Sequence, residues 1–406
     1  MKILLVTLEY PPQKGGVASY YFGLVEELKR QGNEVEVIPN EHNPSQPPLT
    51  LRGGELLGWI WPKWLRGYFT VRAALKKEKF DFLFVGQVLP LGTVAYLLRR
   101  RIPYVVFTHG MDVLTMQQSW RKRRIGKKIL ENAKLVVANS EFTKEVVTEI
   151  GVAPERVRRR ELSLATPQNV VVYPCPNISP DVKHEDVEVL RRRLGLVGKK
   201  VLLTLGRVVE RKGHDLVIAA LPEILKHVPE AVYVVTGDGP DLPRLQKLVA
   251  RDFMSRPSGT QGAALQNSVR FVGAISDVDR PLYYALCDLF VMPSRQIGPI
   301  RARGRLWRPT SNGIKPDVEG FGLVFLEAAL FGKPSIGGRS GGIPEAILDG
   351  ATGALVDPND PGAFARVAVQ FLHDDALRYE LGQNAKARVL HEFRWEKQAE
   401  KVVSQL

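Results

Sequence analysis

The chain has 406 residues, 44% of them hydrophobic, which is enough for two domains that each bury a core. Its formal net charge of +14 at pH 7 suits contact with anionic lipids, nucleic acid or phosphorylated substrates. The two cysteines, Cys175 and Cys287, lack any C-x-x-C or Cys/His spacing, so neither a disulfide framework nor a zinc site is supported. The first apolar run is too short for a signal peptide, and no run approaches the roughly 20 residues that span a bilayer, so we expect a cytoplasmic protein.

The first half of the chain alternates short apolar runs with helical patterns. The run at 3–8 is followed by a turn with Gly15 and Gly16 and then by a helical pattern at 17–31, which is typical of the start of a βαβ unit. Further strands are predicted at 34–39, 82–85, 104–108 and 135–138.

The positive charge is concentrated in this half, at 99–101, 121–128, 156–160 and 191–193. No RNA- or DNA-binding motif accompanies these clusters, so we do not expect nucleic acid as a partner. The segment 120–130 has the pattern of a basic amphipathic helix that lies on a membrane, and its candidate contacts with a membrane or an acceptor are Arg121, Lys122, Arg123, Arg124, Lys127 and Lys128. The alternative is a solvated helix whose few apolar residues face its own core.

A second alternation of strands and helices begins near residue 200. Strands are predicted at 201–206, 232–237, 269–273, 289–294, 334–338 and 354–358, with helices at 214–227 and after Gly322. The fold class is therefore α/β, with two consecutive doubly wound parallel sheets. A proline-rich linker near 174–180 separates domains at 1–175 and 176–385, and ligands are expected beyond the carboxyl ends of the strands, in a cleft between the domains.

The run DVEGFGLVFLEAALFGKPS contains the most informative pattern. Glu319 and Glu327 stand eight residues apart, and Gly320 and Gly322 precede an apolar run of helical character. A helix start presents free backbone N–H groups that bind anions, and the two carboxylates, about 10 Å apart at about 1.5 Å per residue, cannot serve one atom. The pattern favours a ligand with hydroxyls at both ends and an anionic centre, as in a nucleotide sugar. The alternative is a solvated Glu319 and a Glu327 favoured by the helix dipole.

With these elements in place, the chain resembles the retaining glycosyltransferases of family 4, which have the GT-B fold of two facing Rossmann-like domains. The resemblance covers essentially the whole chain. It is carried by six motifs in order: the glycine pair at 15–16, FTHG with His109, GRVVERKG with Arg207 and Lys212, TGDGP at 236–240, the Glu-x7-Glu element, and GRSGGIPEAI at 338–347.

The resemblance implies a role for each matching position. It assigns Arg207 and Lys212 to the donor diphosphate, Glu319 to hydroxyls of the transferred sugar, Glu327 to the ribose, and His109 to orienting the donor sugar or stabilising its charge. The implied catalytic residues are His109, Arg207, Lys212 and Glu319. The implied donor-binding residues are Gly15, Gly16, Arg207, Lys212, Gly237, Gly239, Val272, Glu319, Gly320, Phe321, Gly322, Leu323 and Glu327. The first domain would bind the acceptor, the second the nucleotide sugar, and a C-terminal helix at 386–406 would pack back on the first domain.

Two cations near the diphosphate can replace a metal ion, so we expect no metal and no cofactor besides the donor substrate. Asp277 and Asp279 form a D-x-D string that metal-dependent glycosyltransferases use. Because the string lies at a predicted helix start, we interpret it as a helix cap.

The predicted function is transfer of a hexose from a nucleotide-diphosphate sugar, with retention, to a lipid-linked, saccharide or polysaccharide acceptor. The GRSGG string followed by Pro344 and Glu345 looks like that of mannosyltransferases and favours GDP-mannose; a UDP-sugar donor is the alternative. A non-catalytic basic protein that binds membranes or nucleic acid would explain the charge but not the predicted anion site in the second half of the chain. A nicotinamide-dependent oxidoreductase would require a G-x-G-x-x-G after the first strand of a domain, and no such motif follows the first strand of either domain.

The insertion at 296–316, with Arg301, Arg303, Arg305, Trp307 and Arg308, is either a basic flap over the cleft or a surface loop.

Overall fold

The computed structural model describes residues 1–40, 56–57, 62–117, 119–150, 168–255, 267–298 and 316–406. These residues form two compact units, each with a six-stranded parallel sheet. The first unit contains Met1–Cys175 and Arg394–Leu406, and the second contains Pro176–Ile297 and Asp317–Phe393. The predicted α/β class with two parallel sheets is confirmed. The basic cluster at 156–160 and the aromatic and basic residues of the insertion lie outside the described residues.

The sheet of the first unit has the strand order β2-β1-β3-β4-β5-β6. Its strands are β1 (Lys2–Thr7), β2 (Glu34–Pro39), β3 (Phe82–Val85), β4 (Tyr104–Thr108), β5 (Leu135–Ala138) and β6 (Gln168–Val171). Its helices are α1 (Gly16–Arg30), α2 (Leu65–Lys77), α3 (Leu91–Leu98), α4 (Met111–Gln117), α5 (Trp120–Glu131) and α6 (Glu141–Glu149). The central strands are continuous apolar runs because helices cover both faces of a parallel sheet. The sequence analysis does not predict strand β6, because its first two residues are polar.

The sheet of the second unit has the strand order β12-β11-β10-β7-β8-β9. Its strands are β7 (Lys200–Leu205), β8 (Ala231–Thr236), β9 (Val269–Gly273), β10 (Leu289–Met292), β11 (Ser335–Gly338) and β12 (Gly353–Val356). Its helices are α7 (His184–Arg193), α8 (His214–His227), α9 (Leu242–Ser255), α10 (Arg280–Leu286), α11 (Leu323–Leu330), α12 (Ile343–Ala346), α13 (Pro361–His373) and α14 (Asp375–Glu392). Predicted and observed strand limits differ by at most a few residues at the ends, where loops begin.

Each sheet has a point at which the strand order reverses. In the second sheet β7 lies between β8 and β10, and in the first sheet β1 lies between β2 and β3. In open α/β sheets, ligands bind beyond the carboxyl ends of the strands at such a reversal. The loops after β7 and β10 are therefore the first place to look for a site in the second unit.

The last helix, α15 (Trp395–Val403), belongs to the first unit. Ala399 and Val402 are fully buried in the same apolar cluster as helix α1, and the Gln398 side chain accepts a hydrogen bond of 2.9 Å from the backbone N–H of Tyr173. Helix α14 runs through residue 386, so the segment that packs on the first unit begins later than we expected. Among the described residues, no helix is long and apolar enough to cross a bilayer.

Candidate functional site

The turn after β7 carries two of the predicted cations. Strand β7 ends at Leu205, Arg207 follows in the loop, and Glu210–Lys212 forms a short 3₁₀ turn before α8. Gly213 ends this turn with φ 73°, and a Cβ there would lie 2.2 Å from the carbonyl oxygen of Pro293. Only glycine fits this approach, which fixes the turn against the loop after β10.

Lys212 is buried at the point where the sheet order reverses. Its Nζ lies 3.2 Å from Oε2 of Glu319 and 3.0 Å from the sulfur of Met292, the last residue of β10. Burial lowers the pKa of Lys212, although Glu319 acts in the opposite direction. The structure therefore brings Lys212 and Glu319, predicted from separate motifs, into direct contact.

Glu319 has a second cationic partner that the sequence analysis missed. Nη1 of Arg211 donates a hydrogen bond to Oε2 of Glu319, and Nε of Arg211 lies 3.0 Å from Oδ1 of Asp317. Burial alone would raise the pKa of Glu319, but the charges of Lys212 and Arg211 hold it at about 2. Glu319 is thus ionised at neutral pH and can only accept hydrogen bonds.

Arg207 occupies a different environment from Lys212. Its side chain is exposed, and it forms no salt bridge within the part of the chain that the structure describes. The turn after β8 packs closely against the loop that carries Arg207, because it has glycines at 237 and 239. A Cβ at Gly237 would lie 2.0 Å from the carbonyl oxygen of Gly206, and a Cβ at Gly239 would lie 2.1 Å from that of Val208. These glycines therefore shape the loop that carries Arg207. Val272 lies in β9, partly buried.

Helix α11 begins where the sequence pattern places an anion site. Gly322 precedes it with φ 97°, and a Cβ at Gly322 would lie 2.6 Å from the Phe325 ring. Gly320 and Leu323 are partly buried and Phe321 is buried, so the start of the helix is close-packed. The first N–H groups of a helix have no intrahelical acceptor and carry the positive end of its dipole.

The string GRSGG fixes the backbone before this helix. The N–H of Gly342 donates to the carbonyl oxygen of Glu319 at 3.1 Å, and a Cβ at Gly341 (φ 56°) would lie 2.2 Å from the same oxygen. The two glycines thus let the loop after β11 pack against the Glu319 backbone and hydrogen-bond to it. The sequence analysis did not predict this contact.

Glu327 is buried in the second turn of α11. The hydroxyl of Tyr284 donates to its Oε2 at 2.7 Å, and Nη1 of Arg280 lies 3.3 Å from Oε1. The Arg280 contact lacks hydrogen-bond geometry, so Oε1 has no hydrogen-bond donor among the described residues. Burial raises the pKa of Glu327, while Arg280 and Tyr284 act to lower it. A buried carboxylate oxygen without a donor is an unusual feature that a ligand hydroxyl would satisfy.

The D-x-D string lies at the start of α10, as predicted, but the capping contact differs from the expected one. Asp279 occupies the N-cap position without a capping hydrogen bond from its side chain. Instead, the hydroxyl of Ser276 accepts from the N–H of Asp279 at 3.0 Å and donates to the Asp279 carboxylate at 2.8 Å. Ser276 therefore caps the turn that precedes α10, and the Asp279 side chain does not cap the helix, which corrects the interpretation of the string. Across the described ranges there is no group of three or more metal-binding side chains.

In the first unit, His109 follows β4 and contacts helix α1. The hydroxyl of Tyr21 donates to the carbonyl oxygen of Gly86 at 2.8 Å, so the 2.7 Å contact between Tyr21 and His109 has Nε2–H of the histidine as donor. Burial lowers the pKa of His109 to about 3. The ring is therefore neutral at pH 7, with the lone pair on Nδ1. Asp112 accepts from the His109 backbone N–H at 3.0 Å and fixes the turn.

Helix α1 starts at Gly16, directly after Gly15, which has φ 153°. Both glycines are exposed, and a Cβ at Gly16 would meet nothing within 4 Å. The backbone N–H groups at this helix start are thus open to an approaching group.

His214 is a buried titratable group that the sequence analysis did not single out. It begins α8, is 1% exposed, and its Nδ1 lies 2.9 Å from the Tyr233 hydroxyl. Burial, with a smaller contribution from Lys212, lowers its pKa to about 4. Its Nε2 has no hydrogen-bond partner within the described residues, so a proton on both nitrogens would leave a buried donor unpaired.

We expect the protein to lose stability as the pH falls from about 6.5 toward 4, and His214 to contribute. The unfolded chain binds a proton on this residue below about pH 6.5, whereas the folded chain excludes it until about pH 4, so unfolding is favoured by about 2 kcal/mol at about pH 5. Thermal unfolding measured at both ends of this range should show a smaller decrease in Tm for His214→Asn. His227→Asn, at the exposed end of α8, is the matched control and should behave as the wild type. Equal pH dependence in all three proteins would contradict the prediction.

Two family models match the chain. The model for glycosyl transferases group 1 matches residues 186–388, and the model for glycosyltransferase family 4 matches residues 14–159. The matched ranges contain every predicted site residue. The two matched ranges lie in different halves of the chain, as the predicted site residues do.

Similar proteins include a GDP-mannose-dependent alpha-(1-6)-phosphatidylinositol monomannoside mannosyltransferase of Mycolicibacterium smegmatis, 28% identical over 97% of this chain and 95% of that protein. The protein of the same name from Mycobacterium tuberculosis H37Rv is 27% identical over 99% of this chain and 97% of its own length. Among solved structures, sucrose-phosphate synthase from Thermosynechococcus elongatus gives a TM-score of 0.73 at 22% identity and covers 99% of this chain and 97% of that one. Anabaena HepE in complex with UDP-glucose gives 0.69 at 21% identity over 100% of both chains.

Proposed function

The chain belongs to glycosyltransferase family 4 and is a glycosyltransferase of the GT-B fold, and we propose that it transfers mannose from GDP-mannose to a glycolipid acceptor with retention at the anomeric carbon. The observation that carries this proposal is the contact between Lys212 and the ionised Glu319 beside the start of α11. This arrangement places a cation, a helix N-terminus and a hydroxyl acceptor side by side. The cation and the helix N-terminus suit the diphosphate of a nucleotide sugar, and the carboxylate suits its sugar hydroxyls.

The diphosphate leaves as the glycosidic bond breaks, and negative charge develops on it. Lys212, Arg207 and the first N–H groups of α11 would stabilise that charge, and Lys212 and the N–H groups are held in place before the reaction. Lys212 is buried, so its charge acts in a medium that screens it less than water does. With this positive charge supplied by the protein, we propose that transfer needs no metal ion.

Glu319 and Glu327 would bind the two ends of the donor. Glu319 is ionised and accepts hydrogen bonds only, which suits hydroxyls of the transferred sugar. Oε1 of Glu327 lacks a donor in the described part of the protein and would accept from the ribose. Gly320, Phe321, Gly322 and Leu323 would contribute backbone groups between these ends.

Two features of the first unit suit the roles that the family motifs imply for them. A neutral His109 with its lone pair on Nδ1 accepts a hydrogen bond from a sugar hydroxyl, which favours an orienting role over stabilisation of charge. The open N–H groups after Gly15 and Gly16 suit an approaching phosphate.

GDP-mannose and a glycolipid are proposed because the curated relatives named above use that donor on a phosphatidylinositol mannoside. Their identity to this chain extends through both units. A UDP-sugar is the second candidate, since HepE, which shares the fold, is solved with UDP-glucose.

The test is a transfer assay with purified protein, radiolabelled GDP-mannose and phosphatidylinositol mannoside in detergent, with UDP-glucose in parallel. We expect labelled lipid from GDP-mannose alone, unchanged by a metal chelator, with the new linkage in the alpha configuration by NMR. Label from UDP-glucose instead would replace the donor. An inverted linkage would contradict retention, and loss of activity with chelator would contradict the metal-free mechanism.

Helix α5 supports association with an anionic membrane surface. It contains six lysine and arginine residues and one glutamate, and Trp120 and Ile125 are 70% and 47% exposed. Ile129 and Leu130 are fully buried, so the apolar face of the helix packs on the core and the lipid contact is proposed for the exposed face alone. Exposed cations with a projecting indole are typical of a helix that lies on acidic lipids.

We expect the wild type to cosediment with phosphatidylserine-containing vesicles and not with phosphatidylcholine alone. Replacing Arg121, Lys122, Arg124 and Lys128 by glutamate should weaken binding by at least about 100-fold, since each cation near the surface contributes about 1 kcal/mol. The control makes the same charge change at exposed Arg192, Lys199, Lys226 and Lys247 of the second unit. Equal losses in both variants would indicate attraction by net charge and would contradict a role for α5.

A further inference from the structure

Arg211 is held between two carboxylates. Its Nε lies 3.0 Å from Oδ1 of Asp317, and its Nη1 donates to Oε2 of Glu319. Only 18% of its side chain is exposed. The two carboxylates raise its pKa against the effect of burial, and they occupy donors on two sides of its planar head.

The backbone on both sides of this contact is also fixed. The carbonyl oxygen of Arg211 accepts from the N–H of Arg295 at 2.7 Å, and the guanidinium of Arg295 bonds to Asp215 at 2.6 Å. Asp317 forms an antiparallel bridge with Ile297, with hydrogen bonds of 2.8 and 2.9 Å. Arg211 therefore connects two anchored segments, the turn after β7 and the segment that leads to α11.

Both cations that contact Glu319 use the same oxygen. Arg211 and Lys212 bond to Oε2, and Oε1 accepts no hydrogen bond from the described residues. Two donors on one oxygen fix the rotation of the carboxylate, since rotating it would break both contacts. The free oxygen is then held in one place relative to Lys212.

We propose that Arg211 is a positioning residue for the donor sugar: it fixes the Glu319 carboxylate so that Oε1 can accept from a hydroxyl of the transferred hexose. This inference rests on the proposed function, because it assumes that Glu319 meets the sugar. In this arrangement Arg211 acts through Glu319, because its Nε–H and one Nη1–H are engaged by Asp317 and Glu319. A direct diphosphate contact by Arg211 is the rival arrangement that the test separates.

The experiment compares GDP, which lacks the sugar, with GDP-mannose. Dissociation constants for both are measured by calorimetry for the wild type, Arg211→Ala and Arg211→Lys. Arg378→Ala is the matched control, because Arg378 is similarly buried in the same unit and pairs with Asp375 outside the site. We expect Arg211→Ala to weaken GDP-mannose about 10-fold while GDP changes little, with partial recovery in Arg211→Lys and no change in Arg378→Ala.

Several results would overturn the proposal. Equal weakening of GDP and GDP-mannose would make Arg211 a diphosphate ligand or a purely structural residue, and no weakening of either would show that Glu319 is held without it. If Arg211→Ala fails to fold, Asp317→Asn and Arg211→Lys give the same comparison. Should the wild type bind UDP and UDP-glucose instead, that pair replaces the guanosine pair, and only the proposed donor fails. A wild type that binds no nucleotide diphosphate would refute the proposed function and this inference together.

Discussion

Lys212→Ala should lower kcat for transfer by about 10²–10³-fold, the usual effect of removing one preorganised group that stabilises developing charge. Lys212 is the buried cation at the reversal of the second sheet, 3.2 Å from Glu319. Its positive charge would stabilise the negative charge that develops on the leaving diphosphate. The measurement is the rate of GDP release at saturating donor and acceptor. Because Arg211 still pairs with Glu319 in this variant, the carboxylate keeps a partner and the fold should persist.

The matched control for this substitution is Lys226→Ala. Lys226 lies on the adjacent helix α8, is 59% exposed and pairs with Glu223. We expect it to keep the wild-type rate, which separates loss of a buried cation from loss of net charge. If Lys212→Ala retains kcat within about threefold of the wild type, the assignment of Lys212 to the leaving group is wrong.

The second large effect is expected for Glu327→Gln, which should weaken GDP binding by about 10- to 100-fold with little change in kcat. Oε1 of Glu327 is the buried oxygen without a hydrogen-bond donor in the described structure, and the ribose hydroxyls are expected there. Glutamine keeps the shape but replaces one acceptor by an N–H₂ donor, which would face a hydroxyl that also donates. Calorimetry with GDP measures the change directly.

Thermal unfolding decides whether a loss in Glu327→Gln is local, since Arg280 and Tyr284 both lose part of a charged partner. Glu223→Gln removes an exposed carboxylate of the same unit and should bind GDP as the wild type does. An unchanged dissociation constant in Glu327→Gln, with its fold intact, would place the ribose elsewhere.

Much of the fold follows from local patterns. The limits of β4 and β5 were predicted from uninterrupted apolar runs, because strands buried on both faces of a parallel sheet carry no alternation. Helix α8 was predicted from 214 to 227, between the glycine at 213 and the loop before β8. Strand β6 has no such signal, since it is a short strand at the sheet edge with a polar start.

The site was predictable only where its residues stand in recognisable motifs. Lys212, Glu319 and Glu327 were found through spacing and resemblance, but Arg211 in the ERK turn could not be distinguished from a solvated cation. Its partners Asp317 and Glu319 lie more than a hundred positions further along the chain, and only the meeting of the β7 and β10 loops brings them to it. Tyr284 was missed for the same reason, because its contact with Glu327 depends on how α10 packs against α11.

A crystal structure of the wild-type protein with GDP-mannose tests the assigned donor site most directly. We expect the diphosphate between Lys212 and the start of α11, a hexose hydroxyl within hydrogen-bond distance of Oε1 of Glu319, and the ribose at Glu327. A donor bound with its diphosphate away from Lys212, or with its hexose away from Glu319, would contradict the central claim that these side chains form the donor site.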